Sequence, residues 1–222
     1  MSRTRFHEAL DGLRQELVAM GGMAERAVEL AVRAYTERDL SLCREVFSGE
    51  VVINSTERRL DEVVLDLLAM QQPMAVDLRL ILAISKCIAD LERVGDQAVN
   101  IAECVEQLLG LPEFESPADL PEMASLARMM LRRALNAFVD ADAAEAQAVL
   151  LLDDELDAMN DHAYTAVAAA KAAEPAFTQN LLNFLIIARN FERIGDHATN
   201  IAEDVIFWVR GADVRHHATS NE

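Results

Sequence analysis

Apolar residues recur every three or four positions through most of the chain, which is the period of an amphipathic α-helix. In the first segment this spacing holds from Phe6 to Ala31. Short stretches containing Gly, Pro or Asp separate the apolar segments, because these residues end helices and begin turns. The pattern predicts six long helices, over residues 5–37, 41–70, 74–109, 120–139, 143–173 and 175–210.

The connections divide these helices into two halves. Within each half the connections are short, which favours antiparallel neighbours. The segment between the halves is longer and contains Pro117 and two glutamates. We therefore expect an all-α fold of two tandem three-helix up-down-up bundles related by a pseudo-twofold axis. The predicted boundaries are a first bundle over 1–112, a linker over 113–119, a second bundle over 120–211 and a disordered polar tail over 212–222.

An internal repeat supports this division. Residues 90–103 return one hundred positions later as residues 190–203, with nine of fourteen positions identical. Self-similarity at a fixed spacing is typical of a structural unit that occurs more than once in a chain. The sequence therefore predicts one helical unit written twice.

The composition agrees with packed helices and indicates the cellular compartment in which the protein works. Aromatic residues are few, and the chain is rich in strong helix formers such as Ala, Leu, Glu and Arg. The longest apolar runs, such as 80–84, are too short to cross a bilayer, and no signal peptide is evident. Cys43, Cys87 and Cys104 lack metal-type spacing, which predicts a reduced, cytoplasmic compartment.

The formal net charge of -18 excludes one class of partner and favours another. Nucleic-acid binding requires a basic face, so we expect no nucleic-acid partner. A strongly acidic chain instead suits a bound cation or a basic surface on a partner protein.

The repeated segment places acids beside the core. On a helical wheel, Glu92, Asp96 and Asn100 follow the edge of a buried stripe, and Glu192, Asp196 and Asn200 repeat this arrangement. Like charges four residues apart on a helix cost about 0.2–0.5 kcal/mol, and partial burial raises the cost. A nearby cation is the usual remedy. An arginine of a neighbouring helix and a bound metal ion are both open alternatives.

The second and fifth predicted helices offer further oxygen ligands that would face these acids. An oxygen-rich set suits hard or borderline cations such as Mg, Ca, Mn, Fe or Zn. The candidate metal ligands are Glu57, Asp61, Glu92, Asp96, Asn100, Asp157, Asp161, Glu192, Asp196 and Asn200.

Gly95 and Gly195 lie in the middle of these helices, where glycine costs about 1 kcal/mol relative to alanine. The expected reason is the close approach of a neighbouring helix. The chain shows no phosphate-binding loop, nucleophile elbow or Glu-x-x-His pair, so an enzyme is not expected. We interpret His197 as a surface or interface residue. A metal-storage or redox bundle and a purely salt-bridged interaction bundle remain alternatives.

The segments Glu92-Arg-Val-Gly-Asp-Gln-Ala98 and Glu192-Arg-Ile-Gly-Asp-His-Ala198 resemble the PhoU family of phosphate-uptake regulators. Gln72-Pro73 and Asp77-Leu-Arg-Leu80 are also similar to that family. The resemblance covers nearly the whole chain and implies a fold of two three-helix bundles. In the second half, Phe177-Thr-Gln-Asn180 departs from Asp77-Leu-Arg-Leu80, so the two halves need not have equivalent sites.

The resemblance also implies a function. It implies a cytoplasmic, non-enzymatic negative regulator that relays the state of a phosphate ABC transporter to a sensor histidine kinase. The implied partners are the transporter's ATPase subunit, the kinase and a second copy of the chain. The cofactors implied by the resemblance are iron or zinc ions, including multinuclear clusters, on the paired acids; magnesium and manganese are alternatives that the oxygen-rich ligand set allows. The residues expected to bind partners are Asp77, Arg79, Arg93 and Arg193.

Overall fold

The computed structural model describes residues 3–71 and 73–211, and these residues contain helices and no strand. The predicted disordered tail, 212–222, lies outside the described residues. One three-residue 3₁₀ turn, Pro175–Phe177, precedes the last helix. The α-helices are α1 (Arg3–Glu37), α2 (Leu40–Gln71), α3 (Ala75–Leu109), α4 (Leu120–Asp140), α5 (Ala143–Leu150), α6 (Asp153–Ala173) and α7 (Thr178–Arg210).

The predicted fifth helix, 143–173, is wrong in one respect, since the structure divides it into α5 and α6. The break lies at Leu151 and Leu152, and Leu151 is one of the most exposed aliphatic side chains. The first turn of α6 contains Asp153, Asp154 and Glu155. Acids are favourable at the positive end of a helix, so this sequence supports a new helix start even though neither Gly nor Pro marks it.

Helices α1 to α3 form the first bundle and α4 to α7 form the second, which confirms the predicted pair of bundles. Helix α3 packs chiefly on α7, and α1 also contacts α4. Each of these contacts joins a helix to its counterpart in the other repeat, as a pseudo-twofold axis between the bundles requires. The buried apolar side chains of both bundles form one continuous core.

The turns that follow α1 and α4 show how closely the repeats correspond. Arg38 and Ala141 both adopt left-handed backbone conformations, with φ of 54° and 52°. The next residue in each case is an aspartate: Oδ1 of Asp39 accepts a 2.8 Å hydrogen bond from the backbone of Ser41, and Oδ1 of Asp142 accepts one of 2.8 Å from Ala144. These aspartates begin α2 and α5 in the same way, so residue 39 corresponds to residue 142.

Helices α3 and α7 are the central elements, and they are buried over more of their circumference than the single predicted stripe. In α3 the predicted stripe runs through Ile88, Gly95 and Ala102. Leu91, Ala98 and Ile101 lie outside that stripe and are also buried. The wider burial arises because α3 packs against α1 and α2 on one side and against α7 on the other. The paired acids therefore occupy a narrow accessible strip. None of the helices in the described part of the chain is long and apolar enough to span a membrane.

Candidate metal site

Glycine brings neighbouring helices close to the repeated acids in both halves. A Cβ atom added to Gly195 would lie 2.5 Å from Cδ2 of Leu156 in α6. One added to Gly95 would lie 3.1 Å from Cδ1 of Ile53 in α2. The close approach expected from sequence is confirmed, and it is tighter in the second repeat.

In the second repeat this approach gathers three carboxylates. Asp157, Glu192 and Asp196 each have an oxygen within 4.8 Å of the others, and in the part of the chain that the structure describes no other group of three His, Cys, Asp or Glu side chains meets this distance. Glu192 is only 7% exposed, Asp196 is partly buried and Asp157 is exposed. The group thus has a buried base and an open mouth.

The positive charges of Arg189 and Arg193 only partly offset the negative charge of this group. Burial, followed by repulsion from Asp196, raises the pKa of Glu192 to about 7. Burial and the Asp157 carboxylate also raise the pKa of Asp196. Burial, Asp157 and Asp196 raise the pKa of Asp153 to about 6. Several carboxylates therefore resist ionisation together, and a bound cation would relieve this cost.

One oxygen of Glu192 is left without a partner. Arg189 donates a hydrogen bond to Oε1 of Glu192, but Oε2 is buried and accepts none. Burying an acceptor that makes no hydrogen bond costs about 1–3 kcal/mol, and more for a charged group. A cation that coordinates oxygen ligands would satisfy this atom. The all-oxygen donor set suits a hard or borderline metal ion.

The first repeat has a related but different cluster. Burial, followed by Asp96, raises the pKa of Glu92, and Glu57 and Glu50 contribute in the same direction. Arg93 opposes this shift, since its guanidinium lies 3.3 Å from Oε2 of Glu92 and 3.1 Å from Oδ2 of Asp96. The salt-bridge alternative therefore describes this repeat well.

The predicted ligands on α2 and α6 are only partly brought together. Asp157 joins the cluster, whereas Asp61 and Asp161 lie on exposed positions one turn after Glu57 and Asp157. The acids that interact with the clusters instead lie on the N-terminal side of these residues: Glu50 in α2 and Asp153 in α6. The i,i+4 spacing of Asp153, Asp157 and Asp161 already indicates Asp153 in the sequence, and the same spacing from Glu50 to Asn54 is the signal for Glu50.

The structure gives Asn100 and Asn200 a different role from the predicted one. The amide nitrogen of Asn100 donates to Oδ1 of Asn190 at 3.2 Å, and that of Asn200 donates to Oδ1 of Asp90 at 3.1 Å. The two bonds are equivalent under the repeat. Both side chains face the partner helix because α3 and α7 pack side by side, so they join the two bundles.

His197 also belongs to the contact between α3 and α7. Its Nδ1 lies 2.8 Å from Oδ1 of Asp90, and both side chains are mostly buried. This agrees with an interface residue. The pairing with Asp90 explains the position of His197 without a role as a metal ligand.

The four residues expected to bind partners lie in different environments. Arg93 and Arg193 are exposed at equivalent positions of the repeat. Asp77 lies in the first turn of α3, where a negative charge is favourable. Arg79 donates through Nε to the carbonyl oxygen of Trp208 at 3.3 Å, so it also links α3 to α7.

Two repeated three-helix units that share one core and carry paired acids on their third helices define a class of tandem helical-repeat proteins. The chain belongs to the PhoU domain family, whose model matches residues 17–105 and 120–205. The phosphate-specific transport system accessory protein PhoU homolog of Pseudomonas aeruginosa is 40% identical over 215 residues, which are 96% of this chain and 88% of that protein. The PhoU protein of Escherichia coli is 34% identical over the same shares of the two chains.

Solved structures show the same similarity in three dimensions. The crystal structure of PhoU from Pseudomonas aeruginosa superposes with a TM-score of 0.90 at 39% identity, covering 93% of this chain and 100% of that one. The phosphate transport system regulatory protein PhoU from Streptococcus pneumoniae superposes with a TM-score of 0.84 at 26% identity, covering 94% and 99%.

Proposed function

We propose that this protein is an accessory and regulatory protein of a phosphate-specific transport system. The observation that carries the proposal is the extent of the similarity. Relatives with that name match 96% of the chain, including both repeats and the segment between them. A single shared domain would have left one repeat unmatched.

The proposed role is that of a cytoplasmic, non-enzymatic negative regulator. It relays the state of the transporter to a sensor histidine kinase, contacts the transporter's ATPase subunit and acts as a homodimer. The exposed arginines Arg93 and Arg193 support a protein-binding face, since they occupy equivalent positions on the two central helices. The free and buried cysteines agree with a reducing compartment.

A reporter gene under the control of phosphate starvation tests this role in cells. Deleting the gene for this protein is expected to raise reporter expression in phosphate-rich medium, and the wild-type gene should restore repression. Arg93→Glu/Arg193→Glu should fail to restore it, because the change reverses charge on the proposed face. Arg58→Glu reverses an exposed charge on α2 and serves as the control. An unchanged reporter after deletion would contradict the role.

The second part of the proposal is that the acidic cluster binds a divalent or trivalent metal ion. Iron and zinc are the expected ions, with magnesium and manganese as alternatives. Asp157, Glu192 and Asp196 would hold the ion, with Asp153 beside them. When bound, the ion supplies positive charge in addition to that of Arg189 and Arg193. The unpartnered Oε2 of Glu192 is the observation that supports it.

Metal analysis of protein purified without chelator tests this part. The wild-type chain is expected to retain metal. A variant with Glu92→Gln, Asp96→Asn, Glu192→Gln and Asp196→Asn should retain little, because the same volumes remain while the charges are removed. Equal and negligible metal in both proteins would leave only the salt-bridge interpretation.

A further inference from the structure

The two acidic clusters can be compared position by position. Ile53 lies against Gly95 and Leu156 lies against Gly195, so residue 53 corresponds to residue 156. This is the same separation as between Asp39 and Asp142, which begin α2 and α5. The correspondence pairs Glu50 with Asp153, Asn54 with Asp157, and Glu57 with Asn160.

The first difference is at residues 54 and 157. Asn54 replaces the carboxylate that Asp157 provides, and its amide nitrogen donates a hydrogen bond to Oε1 of Glu50. Among the described residues, the buried oxygens without a partner in the first repeat are the neutral amide oxygens of Asn54 and Gln97, whereas in the second repeat one of them belongs to the carboxylate of Glu192. A neutral amide oxygen attracts a cation less strongly than a carboxylate oxygen.

The second difference is the arginine of the repeated motif. The guanidinium of Arg93 bridges Glu92 and Asp96. Its counterpart Arg193 is exposed and forms no ion pair with the described residues, and the guanidinium of Arg189 occupies only Oε1 of Glu192. In the first cluster one arginine thus pairs with both acids. In the second, Arg189 and Arg193 lower the pKa of Glu192 and Asp196, but the only carboxylate oxygen of the cluster that forms an ion pair among the described residues is Oε1 of Glu192.

The third difference is a neutral donor in the second repeat. Asn160 is 5% exposed, and its Oδ1 is buried and accepts no hydrogen bond. Its counterpart Glu57 contributes to the raised pKa of Glu92, so this position of the middle helix lies near the acid pair in the first repeat. An amide oxygen at this position, one turn after Asp157, would be a fourth donor beside the three converging carboxylates.

We propose that the two sites are not equivalent and that this chain binds a divalent cation in the second repeat only. The ligands are Asp157, Glu192, Asp196 and the amide oxygen of Asn160. In the first repeat, Arg93 pairs with both acids of the corresponding cluster, and Asn54 adds no further negative charge to it. This inference rests on the proposed metal binding and specifies which repeat performs it.

Titration of the full, chelator-treated chain with Mn²⁺ tests the inference, with free Mn²⁺ measured by electron paramagnetic resonance. The wild-type chain is expected to bind about one tight Mn²⁺. Asp196→Asn should raise Kd about tenfold or more, whereas the matched variant Asp96→Asn should leave the tight site unchanged. Asn160→Ala should weaken binding in the same direction as Asp196→Asn.

A gain of binding provides the sharper test. The double variant Asn54→Asp/Arg93→Gln restores the missing carboxylate and removes the internal counter-ion, so it should create a second Mn²⁺ site in the first repeat. Circular dichroism of each variant establishes that its helices are intact. Two equal sites in the wild-type chain, or equal losses from Asp96→Asn and Asp196→Asn, would overturn the inference and leave metal binding in place. A wild-type chain that binds no Mn²⁺ would overturn both.

Discussion

At the scale of single residues, the burial of the Glu192 carboxylate has a cost in free energy. Its side chain lies at the base of the second cluster, with one oxygen paired to Arg189 and the other unpartnered. A glutamine or an apolar residue would avoid this cost, and strongly perturbed carboxylates of this kind are typical of functional sites. The same burial that raises the pKa of Glu192 makes its effect on stability depend on pH.

Glu192→Gln is expected to stabilise the metal-free protein at pH 8. The pKa of Glu192 is about 7 in the folded chain against an ordinary value of 4.5, so between these values the folded state holds a proton that the unfolded chain has lost. This contribution to stability is therefore largest near and below pH 4.5 and is lost as pH rises through 7. The substitution should raise the free energy of unfolding by about 1–3 kcal/mol at pH 8, and by much less at pH 5.

Urea unfolding in the presence of a chelator measures this effect. Glu62→Gln removes an exposed acid of α2 and is the matched control, for which we expect little change at either pH. A Glu192→Gln variant no more stable than wild type at pH 8 would show that the buried carboxylate is not under electrostatic stress.

At the scale of helices, the contact between α3 and α7 depends on polar groups as well as the apolar core. Asp90 accepts from Asn200 and pairs with His197, and the equivalent Asn190 accepts from Asn100. An additional ion pair, between Lys86 and Asp204 at 2.8 Å, also joins the two helices. Buried polar groups of this kind fix one register, because a shifted helix would leave them unpaired.

Asp90→Ala is expected to destabilise the protein by about 1–3 kcal/mol, because it removes the partner of the mostly buried His197 and the acceptor of Asn200. Chemical unfolding at neutral pH measures the loss. Asp66→Ala removes an exposed aspartate of α2 and should change stability by less than about 0.5 kcal/mol. Similar values for the two variants would mean that the polar contacts contribute nothing to the pairing of α3 and α7.

Sequence predicts these helices well where a residue type marks their ends. Gly211 ends α7 in the left-handed conformation, with φ of 71°, as its position after Arg210 indicates. The break between α5 and α6 carries no such mark. It lies within the run Val149-Leu-Leu-Leu152, whose residues form helices readily, and a tertiary preference there overrides local propensity.

The sequence predicts which acids of the central helices belong to the site. It predicts less well which residues of the neighbouring helix lie opposite them. The repeat and the helical period identify Glu192 and Asp196 without a structure. Which turn of the neighbouring helix lies opposite them depends on the register in which α6 meets α7, and Leu156 against Gly195 sets that register. The helical period of α6 alone gives no such register, so it does not distinguish Asp161 from Asn160 as a ligand.

At the scale of the whole molecule, the repeats share an architecture and differ in chemistry. Equivalent helices meet across the pseudo-twofold axis, and one core serves both bundles. Within this frame the second repeat assembles three carboxylates, and the first places Arg93 between its acids. A duplicated scaffold can diverge in this way because the residues around the clusters lie beside the core and contribute little to it.

The most direct test of metal binding is anomalous diffraction from crystals grown with MnCl₂ and collected where manganese scatters anomalously. We predict a peak in the anomalous difference map between the carboxylates of Asp157, Glu192 and Asp196, adjacent to Asn160. A map without a peak at this position, from crystals in which all four side chains are ordered, would contradict the account.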